Sequence, residues 1–145
     1  MNKWFKRMVY GIIGVVVLII ALVHIGSSLM AFSDAKAQAY FDERAFSGAI
    51  EYHTINGMKV KVVADEPMET DSILLVFVHG APGSWDAFKT YVTDPDIADR
   101  VRVISYDRPG YGGSDASEMP SINEQGKILK AIIDIYKLDK VILVG

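Results

Sequence analysis

Two short segments hold most of the residues that could do chemistry: His79-Gly80-Ala81-Pro82-Gly83-Ser84-Trp85, and Tyr106-Asp107-Arg108-Pro109-Gly110-Tyr111-Gly112-Gly113-Ser114-Asp115. Between them they offer a histidine, aspartates and serines, the side chains with which a nucleophile is activated by a base and an acid for acyl transfer. The stretch from Gly112 to Ala116 comes close to G-x-S-x-G, in which a serine nucleophile stands on a sharp turn between strand and helix. No buried strand runs directly into it, however, and Pro120 blocks an immediate long helix, so Ser114 reads as a loop serine. The same glycines fall short of G-x-G-x-x-G and no Gly-Lys-Ser/Thr is present, so neither a dinucleotide site nor a phosphate loop is expected. Two backbone constraints are clear. Pro82 fixes its own φ and confines Ala81 to extended conformations, while Gly110, Gly112 and Gly113 open backbone angles closed to other residues.

The elements that must hold these loops can be read from periodicity. Residues 49–67 form two alternating runs joined by Asn56-Gly57, a strong signal for an antiparallel hairpin. Met58, Val60 and Val62 face one way and Lys59 and Lys61 the other, so one face of the hairpin is expected to be wet. Residues 73–78, ILLVFV, are apolar throughout, as suits a strand buried on both faces of a parallel sheet. Ser84 is placed to cap a helix with Trp85, Phe88 and Val92 on one face. Residues 100–107 make the next strand. Ser121 and Glu124 have capping-box spacing ahead of a stripe of Ile128, Leu129, Ile132, Ile133 and Tyr136. The final KVILVG reads as a third buried strand. A hairpin followed by alternating strands and helices is an α/β plan, and ligands of such sheets bind outside the carboxyl ends of the strands. Both loops lie there.

The amino-terminal part has another character. Residues 8–32 carry no charge, and as a helix this run is long enough to cross about 30 Å of hydrocarbon. Lys3, Lys6 and Arg7 precede it, which puts residues 1–7 in the cytoplasm, a single-pass anchor at 8–30 and everything downstream on the far side. A secretory signal cleaved near AKA or AQA, at 35–39, is the alternative, and it would release a secreted domain. His24 lies near the outer end of the span with no second charge nearby and is expected to be neutral and incidental. Residues 31–48 are rich in helix formers and end at Gly48, which predicts a short helical stalk ahead of a domain at 49–145. With the three basic residues before the span set aside, 12 Lys and Arg face 18 Asp and Glu, so no basic stripe remains for nucleic acid. The absence of cysteine excludes disulfides, thiolate metal sites and a cysteine nucleophile within these residues.

Taken together, the hairpin, the two loops and the strands resemble the α/β-hydrolase family. The resemblance is to the branch of esterases, epoxide hydrolases, haloalkane dehalogenases and iminopeptidases whose third strand ends in His-Gly-x-Pro. It covers about residues 49–145, the amino-terminal part of that fold. It implies a hydrolase acting on an ester, amide or related bond of a small-molecule substrate, without metal or organic cofactor. In the family the fifth strand runs into the nucleophile elbow. Gly145 matches the first glycine of that elbow, so the Ser or Asp nucleophile, the acid and the histidine base are expected beyond it, and residues 1–145 alone are expected to lack turnover. The resemblance makes the backbone N–H of Ala81 an oxyanion-hole donor and implies a cis bond between Ala81 and Pro82. It makes His79 a brace of the loop rather than the base, because the base follows the nucleophile in the chain. Gly80 and Pro82 shape that loop. Asp107 and Arg108, with Gly110 and Gly112, pin the second loop near the pocket rim. Trp85 is either a pocket wall or a core residue. A different reading keeps the half-domain as a non-catalytic, membrane-anchored binding module whose partner covers the apolar edge of the last strand. The oligomeric state is not legible.

Overall fold

The computed structural model describes residues 3–30, 32–68, 72–115 and 120–145, with side chains for all of these except 24–30. The expectation for His24 therefore lies outside the described side chains. The chain divides into two units, Met1–Ala31 and Phe32–Gly145. The first is a helix, α1, Lys3–Met30. Its residues Lys3–Val23 have a mean hydropathy of 2.2 and are long and apolar enough to cross a membrane.

The second unit is a five-stranded mixed sheet. β1 (Ala49–Ile55) and β2 (Met58–Ala64) form the expected hairpin. Asn56 and Gly57 take φ of +50° and +78°, the positive angles a two-residue turn of this kind requires. β3 (Ile73–Val78), β4 (Arg102–Tyr106) and β5 (Lys140–Val144) complete the sheet in the order β1-β2-β4-β3-β5. β4 is antiparallel to β2, and β3 is parallel to both β4 and β5. Alternation along β3 divides the core between the two faces. Leu74 and Val76 join Val60, Val62, Ile104 and Tyr106 under helix α5 (Ile122–Tyr136), whose Ile128 and Ile132 point inward. Phe77 joins Val63, Trp85, Val92 and Val103 on the other face. The capping box of α5 is formed, with Ser121 N–H donating to Glu124 Oε2 at 2.8 Å.

Three expectations are corrected. The segment read as a stalk does form a helix, α2 (Asp34–Glu43), capped by Ser33, but it docks: Ala37 and Phe41 are 0% exposed in the second core cluster. Consequently the second face of the hairpin is not wet along its length, and Lys61 and Val63 are buried beneath this layer. After Ser84 there is no single helix. A 3₁₀ turn at Trp85–Phe88 leads into two one-turn helices, α3 (Lys89–Val92) and α4 (Pro95–Ala98), because the Ser84 hydroxyl donates to the Asp86 carboxylate instead of capping the backbone, and Pro95 starts a new turn. Within residues 1–145, β5 is an edge strand. It pairs with β3 along one edge, and Val141, Ile142, Leu143 and Val144 are 37–54% exposed, with no strand on the other edge among the described residues.

Candidate active site at the strand ends

The register brings three chain segments to one end of the sheet. Val78 pairs with Tyr106 and Phe77 with Val144, so the chain leaves β3 at His79, β4 at Asp107 and β5 at Gly145 side by side. A Cβ on Gly145 would lie 3.2 Å from the carbonyl oxygen of Val78, so its backbone runs close beside the root of the first loop.

His79 is 2% exposed and both its ring nitrogens are engaged. The N–H of Arg108 donates to Nε2 at 3.0 Å, and Nδ1 lies 2.7 Å from the carbonyl oxygen of Gly80. A backbone N–H can only donate, so Nε2 is the acceptor and the proton sits on Nδ1, which donates to Gly80. Burial lowers the imidazole's pKa, and the nearby Arg108 guanidinium adds to the effect against the raising influence of the Gly80 carbonyl. His79 is thus a neutral brace that ties the first loop to the second.

Asp107 anchors the second loop. It is 0% exposed, and its carboxylate accepts N–H bonds from Trp85 at 2.6 Å and Gly113 at 2.7 Å. Burial raises its pKa despite these donors. The Ser114 hydroxyl donates to the Asp107 carbonyl at 2.6 Å and accepts from Lys61 N–H at 2.9 Å, which occupies it as a loop staple. Gly110 and Gly112 have φ of +86° and +53°. A Cβ at Gly112 would overlap the Asp107 carboxylate, so close approach as well as backbone angle requires glycine there. Arg108 lies over the Tyr111 ring at 4.9 Å and donates from Nη1 to Gln125 Oε1 at 3.4 Å, joining the loop to α5.

The Ala81–Pro82 bond is cis. Gly80, Ala81 and Pro82 are exposed, and the N–H of Ala81 makes no hydrogen bond among the described residues. A loop stapled at both ends therefore carries an unspent main-chain donor at its tip. Trp85, the alternative pocket wall, belongs to the core: its ring is 1% exposed and packs against Phe32 and Phe41, with centroids at 5.6 and 5.7 Å. A cleft of about 290 Å³ bounded by Pro67, Met68, Arg102, Ile135, Tyr136 and Leu138 lies at the amino end of β4, away from these loops. Location at the strand carboxyl ends is the better guide to the chemistry here. Sequence reasoning missed Gln125, whose position on α5 gave no sign of contact with Arg108. It also missed Lys61, whose alternation with valines pointed to solvent.

The α/β hydrolase fold family model matches residues 73–145. Over 93 residues the chain is 29% identical to epoxide hydrolase B of Mycobacterium tuberculosis (strain ATCC 25618 / H37Rv), covering 61% of this chain and 26% of that protein. It therefore spans about a quarter of that relative's length. Among solved structures, a membrane phospholipase A described as a novel bacterial virulence factor superposes with a TM-score of 0.61 at 17% identity, over 95% of this chain and 43% of its own. Epoxide hydrolase VrEH1 from Vigna radiata gives 0.57 at 22% identity, over 67% of this chain and 31% of its own. A mutant of haloalkane dehalogenase DatA from Agrobacterium tumefaciens C58 gives 0.56 at 20% identity, over 67% and 32%. These likenesses are of fold. With the strand order, the paired loops and a family match over half its length, the chain belongs to the α/β hydrolase fold family.

Proposed function

We propose that the chain supplies the amino-terminal part of a membrane-anchored hydrolase of esters, amides or related bonds, with the N–H of Ala81 as one donor of its oxyanion hole. The observation that carries this reading is the exposed, unbonded N–H on a braced loop beside the end of β5. Acyl transfer builds negative charge on the carbonyl oxygen, and a donor fixed in advance stabilises that charge without reorganising in the reaction. His79 and Asp107 supply the fixing, and neither is free to take a proton from a nucleophile. The nucleophile, the acid and the base are assigned to residues following Gly145. The apolar helix α1 supports an anchor, and Lys3, Lys6 and Arg7 ahead of the apolar run favour residues 1–7 in the cytoplasm with the hydrolase part exported. The likeness to epoxide hydrolase B is in keeping with a small-molecule substrate.

The test uses the polypeptide read from the coding sequence through and past codon 145. Wild type is expected to hydrolyse a simple ester, and Ala81→Pro, which removes the N–H, to lower kcat by about 10²–10³-fold with KM little changed. Hydrolysis undiminished by that substitution overturns the reading. A second reading keeps the half-domain as a non-catalytic module that binds a partner by strand pairing along β5. A stop directly after codon 145, with a partner protein protecting the amides of β5 from exchange, would support it instead.

A further inference from the structure

Lys61 has a 2% exposed side chain, so its ammonium needs a partner within the protein. Asp34, the first residue of α2, supplies one: its Oδ1 lies 2.6 Å from Lys61 Nζ, and its Oδ2 accepts the Tyr52 hydroxyl at 2.7 Å. Burial together with this bond pushes the Tyr52 phenol up to about 12. The main chain of Lys61 faces the other way in the network. Its N–H donates to Ser114 Oγ at 2.9 Å and its carbonyl accepts from Asp107 N–H at 2.9 Å. The Lys61 stem and the Tyr52 hydroxyl also fill the space beside Gly113, where an added Cβ would lie 2.8 Å from Lys61 Cδ and 3.2 Å from the Tyr52 oxygen. Gly113 and Trp85 in turn donate to the two oxygens of Asp107. Trp85 directly follows the His79–Ser84 loop.

We propose that Asp34 and Lys61 are positioning residues for the Ala81 loop: the ion pair at the head of α2 sets where Gly113 and Asp107 stand, and through them where the loop joins the core. The helix that follows the apolar segment is then part of the apparatus that presents the Ala81 N–H, not a spacer. The functional meaning of this coupling rests on the oxyanion-hole reading above, whereas the coupling itself is a property of the fold.

Amide exchange and ¹⁵N resonances of the full chain in detergent micelles test it, comparing wild type with Asp34→Asn, Asp34→Glu and Lys61→Met. Asp34→Asn is expected to speed exchange of the Trp85 and Gly113 amides by about tenfold and to shift the Ala81 amide resonance, with α5 and the β1–β2 turn at wild-type rates. Asp34→Glu is expected to restore the wild-type pattern. Unchanged rates at Trp85 and Gly113, or a uniform rise across α5 and the sheet, overturn the proposal. Should Asp34→Asn fail to fold, Lys61→Met, which removes the buried charge and leaves a half-exposed carboxylate, is read by the same criteria. The two readings fail separately. Hydrolysis indifferent to Ala81→Pro removes the oxyanion role while the exchange pattern stands, and a silent exchange pattern with Ala81-dependent hydrolysis removes the coupling alone.

Discussion

Replacing Phe41 with alanine is expected to destabilise the second unit by about 3–5 kcal/mol, the range for deleting a buried aromatic and leaving a cavity. Phe41 is 0% exposed, with its ring centroid 4.9 Å from that of Phe46 and 5.7 Å from that of Trp85. A residue on a free stalk would give a change within about 0.5 kcal/mol of zero, so the size of the effect separates a docked α2 from a spacer. Urea unfolding of the full chain in detergent, followed by near-ultraviolet circular dichroism, reads it directly. A shift in midpoint without a change in slope is the expected form.

Alanine at Asp107 is expected to cost about 2–5 kcal/mol by the same assay. The substitution strands the buried N–H of Trp85, at about 1–3 kcal/mol, and the part-buried N–H of Gly113, at the lower end of that range. Loss of the carboxylate's own desolvation penalty offsets part of this. Burial raises the Asp107 pKa above the ordinary 3.8, so the folded state holds the proton more tightly than the unfolded chain. The associated stability is therefore fully present below about 3.8, the unfolded value, and is lost as pH rises through the raised folded value. The stability gap between wild type and Asp107→Asn should accordingly be larger in acid than at neutral pH. Gly112→Ala is expected to act through the same carboxylate, because its Cβ would displace Asp107 and its φ of +53° strains any other residue. A gap that widened toward neutral pH would contradict this account of Asp107.

Much of the fold was legible because its signals are local. The Asn56-Gly57 turn, the unbroken apolar run of β3 and the Ser121–Glu124 capping box each need only neighbouring residues to act. The docking of α2 was not legible. Its sequence, DAKAQAYFDE, has two residues buried, Ala37 and Phe41, too few to mark an apolar stripe, and their burial depends on strands far along the chain. Lys61 was misread for the same reason: a lysine alternating with valines signals solvent unless a carboxylate 27 residues upstream returns to meet it. The helix expected after Ser84 broke into turns because Ser84 and Asp86 satisfied each other. At the candidate site, glycines and prolines announced tight loops. The partners that fix those loops, Asp107 to Trp85 and Arg108 to His79, are 22 and 29 residues apart and emerge only from the sheet register.

The most direct test of the central claim is a structure of the polypeptide extending past Gly145, carrying a tetrahedral mimic of the acyl-transfer transition state. The account predicts the anionic oxygen of the mimic about 2.7–3.1 Å from the backbone nitrogen of Ala81, on the side facing the end of β5. An Ala81 N–H bonded back into the protein, or an anionic oxygen held by other donors more than about 4 Å away, would contradict it.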